Sequence, residues 1–172
     1  VCSSDLQHYK FRANSDFFYL TGNLEPDCVL ILSPQGRGHE SILFVEPNPG
    51  KTDVTFFTDR VKGELWEGAR LGVPESRDLY QIKDCRSLNE LEHFVLQKIK
   101  TDSKPLRVLR GISDKLEKWI HLENAEQVEK DKILAATLSE MRLIKDKAEI
   151  KELALVIDAT KRGFEDVINR LK

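Results

Sequence analysis

The groups through which this chain of 172 residues could bind a metal or move a proton are four histidines, three cysteines and many carboxylates. Their spacing builds no site. His8, His39, His93 and His121 are scattered, with no HxxH or HExxH pair to set two imidazoles on one helical face. Cys2, Cys28 and Cys85 are far apart and odd in number, with no CxxC, which argues against both a disulfide framework and a zinc site. Cys28 lies in an apolar run and reads as core. Ser15 or Ser113 could join a His and an Asp on paper, but no nucleophile-elbow context surrounds either. Gly36-Arg37-Gly38 lacks a following GK[S/T] and a third glycine; between two strands it is a hairpin turn, not a phosphate loop. Glu90 and Glu92, within a helical pattern, belong to a solvated face.

The elements that would position any site alternate between strand and helix, which makes the class α/β. Residues 17–21, rich in aromatics, read as a strand. Turn chemistry follows at Gly22-Asn23 and Glu25-Pro26-Asp27. Residues 28–32 are uniformly apolar, as in a strand buried on both faces. Residues 41–45 return as its hairpin partner, and Pro47-Asn48-Pro49-Gly50 ends that strand. Residues 51–72 are irregular, anchored locally by Phe56-Phe57. Pro74 suits the first turn of a short helix reaching about Tyr80, and Gln81-Ile82 reads as a short strand. Ser87-Leu88-Asn89-Glu90 has the capping-box pattern, with Leu88, Leu91, Phe94 or Val95, and Ile99 along one helical face. Ser103-Lys104-Pro105 breaks that helix. Residues 106–109 read as a buried strand, and residues 124–138 as a polar helical region. Asp146-Lys147-Ala148-Glu149 then starts a long amphipathic helix carrying Ile150, Leu153, Ile157, Phe164, Val167 and Leu171.

Composition bounds the partners. The chain is 40% hydrophobic and 33% charged, as in a water-soluble globular protein. Lys+Arg is 27 and Asp+Glu is 29, so the net charge of -2 offers no strong field for nucleic acid or an anionic membrane. No apolar run approaches the roughly 20 residues that span a bilayer. The cysteine usage and the lack of a signal-like start point to the cytoplasm. Residues 1–6, VCSSDL, lack periodicity and match what the end of a sequencing-library adapter would encode; they read as an artefact.

Three ordered segments carry a family resemblance. Tyr9, Arg12, Asn14, Ser15, Asp16, Phe17, Tyr19, Thr21, Gly22, Glu25, Pro26 and Asp27 match one signature, from which Ala13 and Asn23-Leu24 depart. Residues 64–72, Glu-Leu-Trp-Glu-Gly-Ala-Arg-Leu-Gly, match a second, with Ala69 in place of a frequent Arg. Met141-Arg142-Leu143-Ile144-Lys145, with Glu149-Ile150, matches a third. Together they resemble the amino-terminal domain of aminopeptidase P, the Xaa-Pro aminopeptidases of the creatinase/prolidase type.

The resemblance implies a mixed β-sheet flanked by helices on both faces, incomplete at its start, so that the sheet shows an uncovered edge near residues 28–32 or 106–109. It implies an amino-terminal domain over residues 7–138, then a junction and the first helix of a truncated metallopeptidase (pita-bread) domain over 139–172. In the family, catalysis lies in that later domain, where two Asp, one His and two Glu hold two divalent metal ions. Carboxylate-rich ligation suits Mn²⁺. No catalytic residue, metal site or hydrolysis is therefore expected from this chain alone. The intact protein would release an N-terminal residue preceding proline from peptides. The amino-terminal domain would shape the cleft, dock on its own catalytic domain and support a dimer or tetramer. Trp66 matches a tryptophan that reaches the active site of a neighbouring subunit; its alternative is a residue that anchors an irregular loop. Arg70 would pair with a carboxylate across an interface, or brace its loop. Arg12, Asn14 and Asp16 would fix turns and buried hydrogen bonds before a strand, within a signature completed by Tyr19, Gly22, Glu25 and Pro26. A prolidase- or creatinase-like enzyme and a non-catalytic peptide- or protein-binding module share the architecture.

Overall fold

The computed structural model describes residues 11–60, 63–101, 106–120 and 125–171. Residues 1–6, Tyr9, His8, His121 and the helix break expected at 103–105 lie outside them.

A mixed sheet organises the domain, as expected. β1 (Val29–Gln35) and β2 (Gly38–Val45) form an antiparallel hairpin around the Gly36 turn, in the register Val29↔Phe44 to Gln35↔Gly38. β3 (Asp84–Ser87) runs parallel to β2, giving the order β1-β2-β3 among the described residues. The central strand is the most buried. Ile42 and Phe44 point to one face, where they pack with Leu91 and Val95. Leu43 and Val45 alternate to the other face and are as deeply buried. β1 is an edge. Residues 28–32 are therefore half-buried and not enclosed on both faces, and Leu32 is 43% exposed.

Helices cover the sheet. α4 (Val73–Tyr80) starts with Pro74 in its first turn and lies against β2 and β3. Gln81 ends it with φ 56, so the strand expected at Gln81-Ile82 starts later, at Asp84. Ser87 Oγ accepts from the Asn89 N–H and opens a 3-10 turn that leads into α5 (Leu91–Thr101). α6 (Asp114–Ile120) brings Leu116, Trp119 and Ile120 to the same core.

Two expected strands are something else. Residues 17–21 belong to a helix, α1 (Ser15–Thr21). Asn14 Oδ1 accepts from the N–H groups of Asp16 (2.9 Å) and Phe17 (3.2 Å), and Gly22 closes the other end at φ 67. A five-residue apolar run suits either state, and the caps decide between them. Residues 106–109 form no strand and pair with none among the described residues. Their hydrogen bonds go instead to α7 (Ala125–Leu143): Asp131 accepts from the Val108 N–H at 3.2 Å, and Gln127 Nε2 donates to the Leu106 carbonyl at 2.7 Å.

Residues 51–72 contain two helical turns, α2 (Thr55–Thr58) and α3 (Glu64–Glu67). At the far end α8 (Lys147–Arg170) begins with the expected capping box: Asp146 Oδ1 accepts from Ala148 (2.7 Å) and Glu149 (2.8 Å), and Glu149 Oε2 accepts from the Asp146 N–H (2.9 Å). None of its residues is buried; Ile150, Leu153, Ile157, Phe164, Val167 and Leu171 are all at least half exposed.

Candidate functional site

The chain leaves the buried end of β2 at Val45 and turns through Glu46-Pro47-Asn48. There it meets the corner formed by α2 and α3. Between them lies a cleft of about 220 Å³, lined by Glu46, Asn48, Phe56, Asp59, Glu64 and Arg70 among others. Asn48 is its hub. Its Nδ2 donates to Glu64 Oε1 at 2.7 Å and to the Arg70 carbonyl at 2.9 Å. Its Oδ1 accepts from the Gly50 N–H at 2.9 Å, the local contact that asparagine makes in turns. Glu64 Oε1 also accepts from the Arg70 N–H at 2.8 Å. Both backbone groups of Arg70 are thus held from one side chain or its neighbour. The Arg70 N–H, then the Asn48 amide, hold the Glu64 carboxyl below its ordinary pKa, so it is an anionic acceptor at neutral pH.

This bracket closes the loop of residues 64–70, which carries Trp66. The indole Nε1 donates to the Phe57 carbonyl at 2.9 Å, and the Arg60 guanidinium lies 5.3 Å from the ring centroid. Trp66 is nevertheless 53% exposed. Gly63 lets the corner close this tightly. A Cβ there would sit 2.3 Å from the Asp59 carbonyl oxygen and 2.6 Å from that of Thr55. The arrangement is therefore an aromatic plane presented at the surface with its edge pinned and its loop braced. Such a surface can pack against an apolar ring.

The other signature residues lie elsewhere. Arg12 is exposed, and Asn14 caps α1, so this segment fixes a helix start and not a turn before a strand. Asp16 pairs with Arg142 at 2.6 Å, and the Tyr19 hydroxyl donates to the Met141 carbonyl at 3.2 Å. The first and third signatures, 126 positions apart at this pair, are neighbours in space. Gly22 is the helix stop; after it, the fully buried Asn23 accepts from the Glu25 N–H at 2.6 Å, and the Cys28 thiol donates to the Pro26 carbonyl at 3.4 Å. Burial pushes the Cys28 thiol up to about 11. Among the described residues no group of three or more His, Cys, Asp or Glu is arranged to hold a metal ion. The groups present do not fit one.

Sequence reading missed Asn48, whose only signal was a turn composition, and Asn23, which stood out only as a departure from a signature. Glu64 was visible as part of the second signature but not as the acceptor that ties Arg70.

The model of the aminopeptidase P N-terminal domain matches residues 1–107. The chain belongs to the aminopeptidase P family. It carries that family's N-terminal domain. Xaa-Pro aminopeptidase 1 of Streptomyces coelicolor is 38% identical over 165 residues, which are 95% of this chain and 32% of that protein. Human Xaa-Pro aminopeptidase 3 is 28% identical, over 91% of this chain and 30% of that protein. The chain thus spans about a third of the length of these aminopeptidase P relatives. Its fold matches proline aminopeptidase P II from Yersinia pestis, with a TM-score of 0.63 and 25% identity over 87% of this chain and 34% of that one. It also matches a zinc-substituted Escherichia coli aminopeptidase P in complex with product, with a TM-score of 0.63 and 24% identity, over 88% of this chain and 34% of that one. No helix among the described residues is long and apolar enough to cross a membrane.

Proposed function

We propose that this aminopeptidase P domain serves a cytoplasmic metallopeptidase that releases the N-terminal residue preceding proline, and that its part is to build the substrate cleft. The observation that carries the reading is the Trp66 turn, half exposed yet pinned through Phe57 and braced by Asn48 and Glu64. An apolar plane held in this way can wall a pocket against a proline ring without losing side-chain freedom on binding. Arg70, its backbone tied at both ends, would position its guanidinium for a carboxylate on the facing surface. Residues 7–138 form the domain, and 139–172 form the junction and first helix of the catalytic domain. Two divalent metal ions, Mn²⁺ by the hardness of a carboxylate-rich ligand set, would supply the hydrolytic chemistry in that later domain. A dimer or tetramer would let one subunit's Trp66 complete its neighbour's cleft.

Steady-state kinetics of the full-length enzyme test this. Trp66→Ala should lower kcat/KM for an Xaa-Pro peptide about 10-fold to 100-fold, since a lost wall contact costs ~1.5–3 kcal/mol. The 172-residue chain with Mn²⁺ should show no turnover. Turnover by the chain alone, or an unchanged kcat/KM in Trp66→Ala, would refute the assignment.

A further inference from the structure

The contacts between α1 and the end of α7 have no part in the cleft, yet they join the first and third family signatures. Asp16 and Tyr19 are three positions apart and lie on one face of α1. The Asp16 carboxylate meets Arg142 at 2.6 Å, with the Asp16 side chain 18% exposed. The Tyr19 hydroxyl meets the Met141 carbonyl, one of the last four in α7, which the helix itself leaves without an N–H. Asn14 anchors the α1 side of this contact by capping the turn that carries Asp16. Lys145 Nζ donates to the Arg142 carbonyl, and the Asp146–Glu149 box begins α8 immediately after. Only Ile144 and Lys145 separate a helix end fastened to α1 from a helix start fastened to itself. The 24 residues of α8 extend about 36 Å with none buried in this chain, so among the described residues this joint is what sets their direction. A 10° rotation there would carry the far end roughly 6 Å.

We propose that Asp16, Tyr19 and Arg142 form a latch that fixes the direction in which α8 leaves the domain, and so act as positioning residues for whatever α8 carries. The catalytic part of this idea rests on the peptidase reading above: the latch holds the cleft-forming domain in register with the catalytic one. Its geometric part does not.

The test uses the full-length protein as wild type, Asp16→Asn, Arg142→Gln, the double variant and Tyr19→Phe. Hydrogen–deuterium exchange is followed over residues 143–146, beside the thermal midpoint and the kinetics for an Xaa-Pro peptide. Asp16→Asn and Arg142→Gln should each speed exchange at the joint about fivefold, the ratio expected from a partly exposed ion pair at its upper end, and Tyr19→Phe should speed it by a similar factor through one lost hydrogen bond. Because misplaced reacting groups cost turnover more than binding, kcat should fall, by up to about tenfold, with KM little changed. The double variant should be no worse than either single one, since the pair acts as a unit. Unchanged exchange at 143–146, additive losses in the double variant, or losses that merely follow a fallen thermal midpoint would overturn the latch. A wild-type enzyme without turnover would sink the peptidase reading instead, and the exchange measurement would still decide the latch.

Discussion

Asp131→Ala is the most exacting test of how this fold is held. The Asp131 side chain is 1% exposed and accepts from three donors: the Val108 N–H at 3.2 Å, Arg110 Nε at 2.8 Å and Gln127 Nε2 at 3.1 Å. It serves as acceptor for the segment at 106–109, as a neighbouring strand would. Removing it leaves a half-buried backbone N–H without that acceptor, at about 1–2 kcal/mol. The charge-assisted bond to Arg110 counts for about 1 kcal/mol, because Arg110 keeps some access to water. The space left by the carboxylate adds roughly 0.5–1 kcal/mol. The total of about 3 kcal/mol is a sizeable part of a typical 5–15 kcal/mol stability. At ~2–4 °C per kcal/mol for a chain of this size, it lowers the thermal midpoint by about 6–12 °C. Asp131→Asn keeps an acceptor for Val108 and should lose only about half as much. Urea unfolding followed by circular dichroism measures the loss, and amide exchange at Val108 localises it. A loss under about 1 kcal/mol in Asp131→Ala, or unchanged protection at Val108, would refute the view that α7 substitutes for a strand.

Other consequences are as direct. Asn48→Ala removes the donor shared by Glu64 and the Arg70 carbonyl; the Trp66 turn should loosen, seen as a red-shifted, more readily quenched fluorescence, with Trp119 accounted for by a Trp66→Phe control. Gly63→Ala drives a Cβ into backbone oxygens that cannot swing away, so it should cost about 1–3 kcal/mol and shift the same fluorescence. The Cys28 thiol is raised from 9.0 to about 11 by burial, so the folded state holds its proton longer than the unfolded one. Stability is unaffected by this group at neutral pH and falls as pH rises from about 9 to 11. Cys28→Ala should flatten that alkaline fall in a pH series of urea midpoints, and an identical slope would count against the assignment.

The hairpin, α4, and the α8 start were legible because their signals are local. A β-branched apolar run, a turn at Gly36, Pro74 in a first turn and the Asp146–Glu149 pair each act within a few residues. The segment at 17–21 was misread because its aromatics favour a strand, whereas the Asn14 and Gly22 caps make a helix. The 106–109 segment was misread because its hydrogen-bond partners, the acceptor Asp131 and the donor Gln127, stand about twenty positions away. Trp66 and Arg70 were legible only through resemblance to a family. The bracket that presents them was not, since Asn48 looks like any turn asparagine until its amide is seen to reach Glu64 and Arg70.

The sequence by itself determined the family and the α/β class, because these depend on residue types and short spacings. Tertiary structure alone decided that Asp16 and Tyr19 face Arg142 and Met141, and that the 106–109 segment is hydrogen-bonded by a helix. It also decided that Trp66 is pinned at its edge while half its surface stays exposed. The physical reason is the same in each case. A hydrogen bond or ion pair needs its partners within about 3 Å, and only the folded chain brings groups so far apart in sequence to that distance.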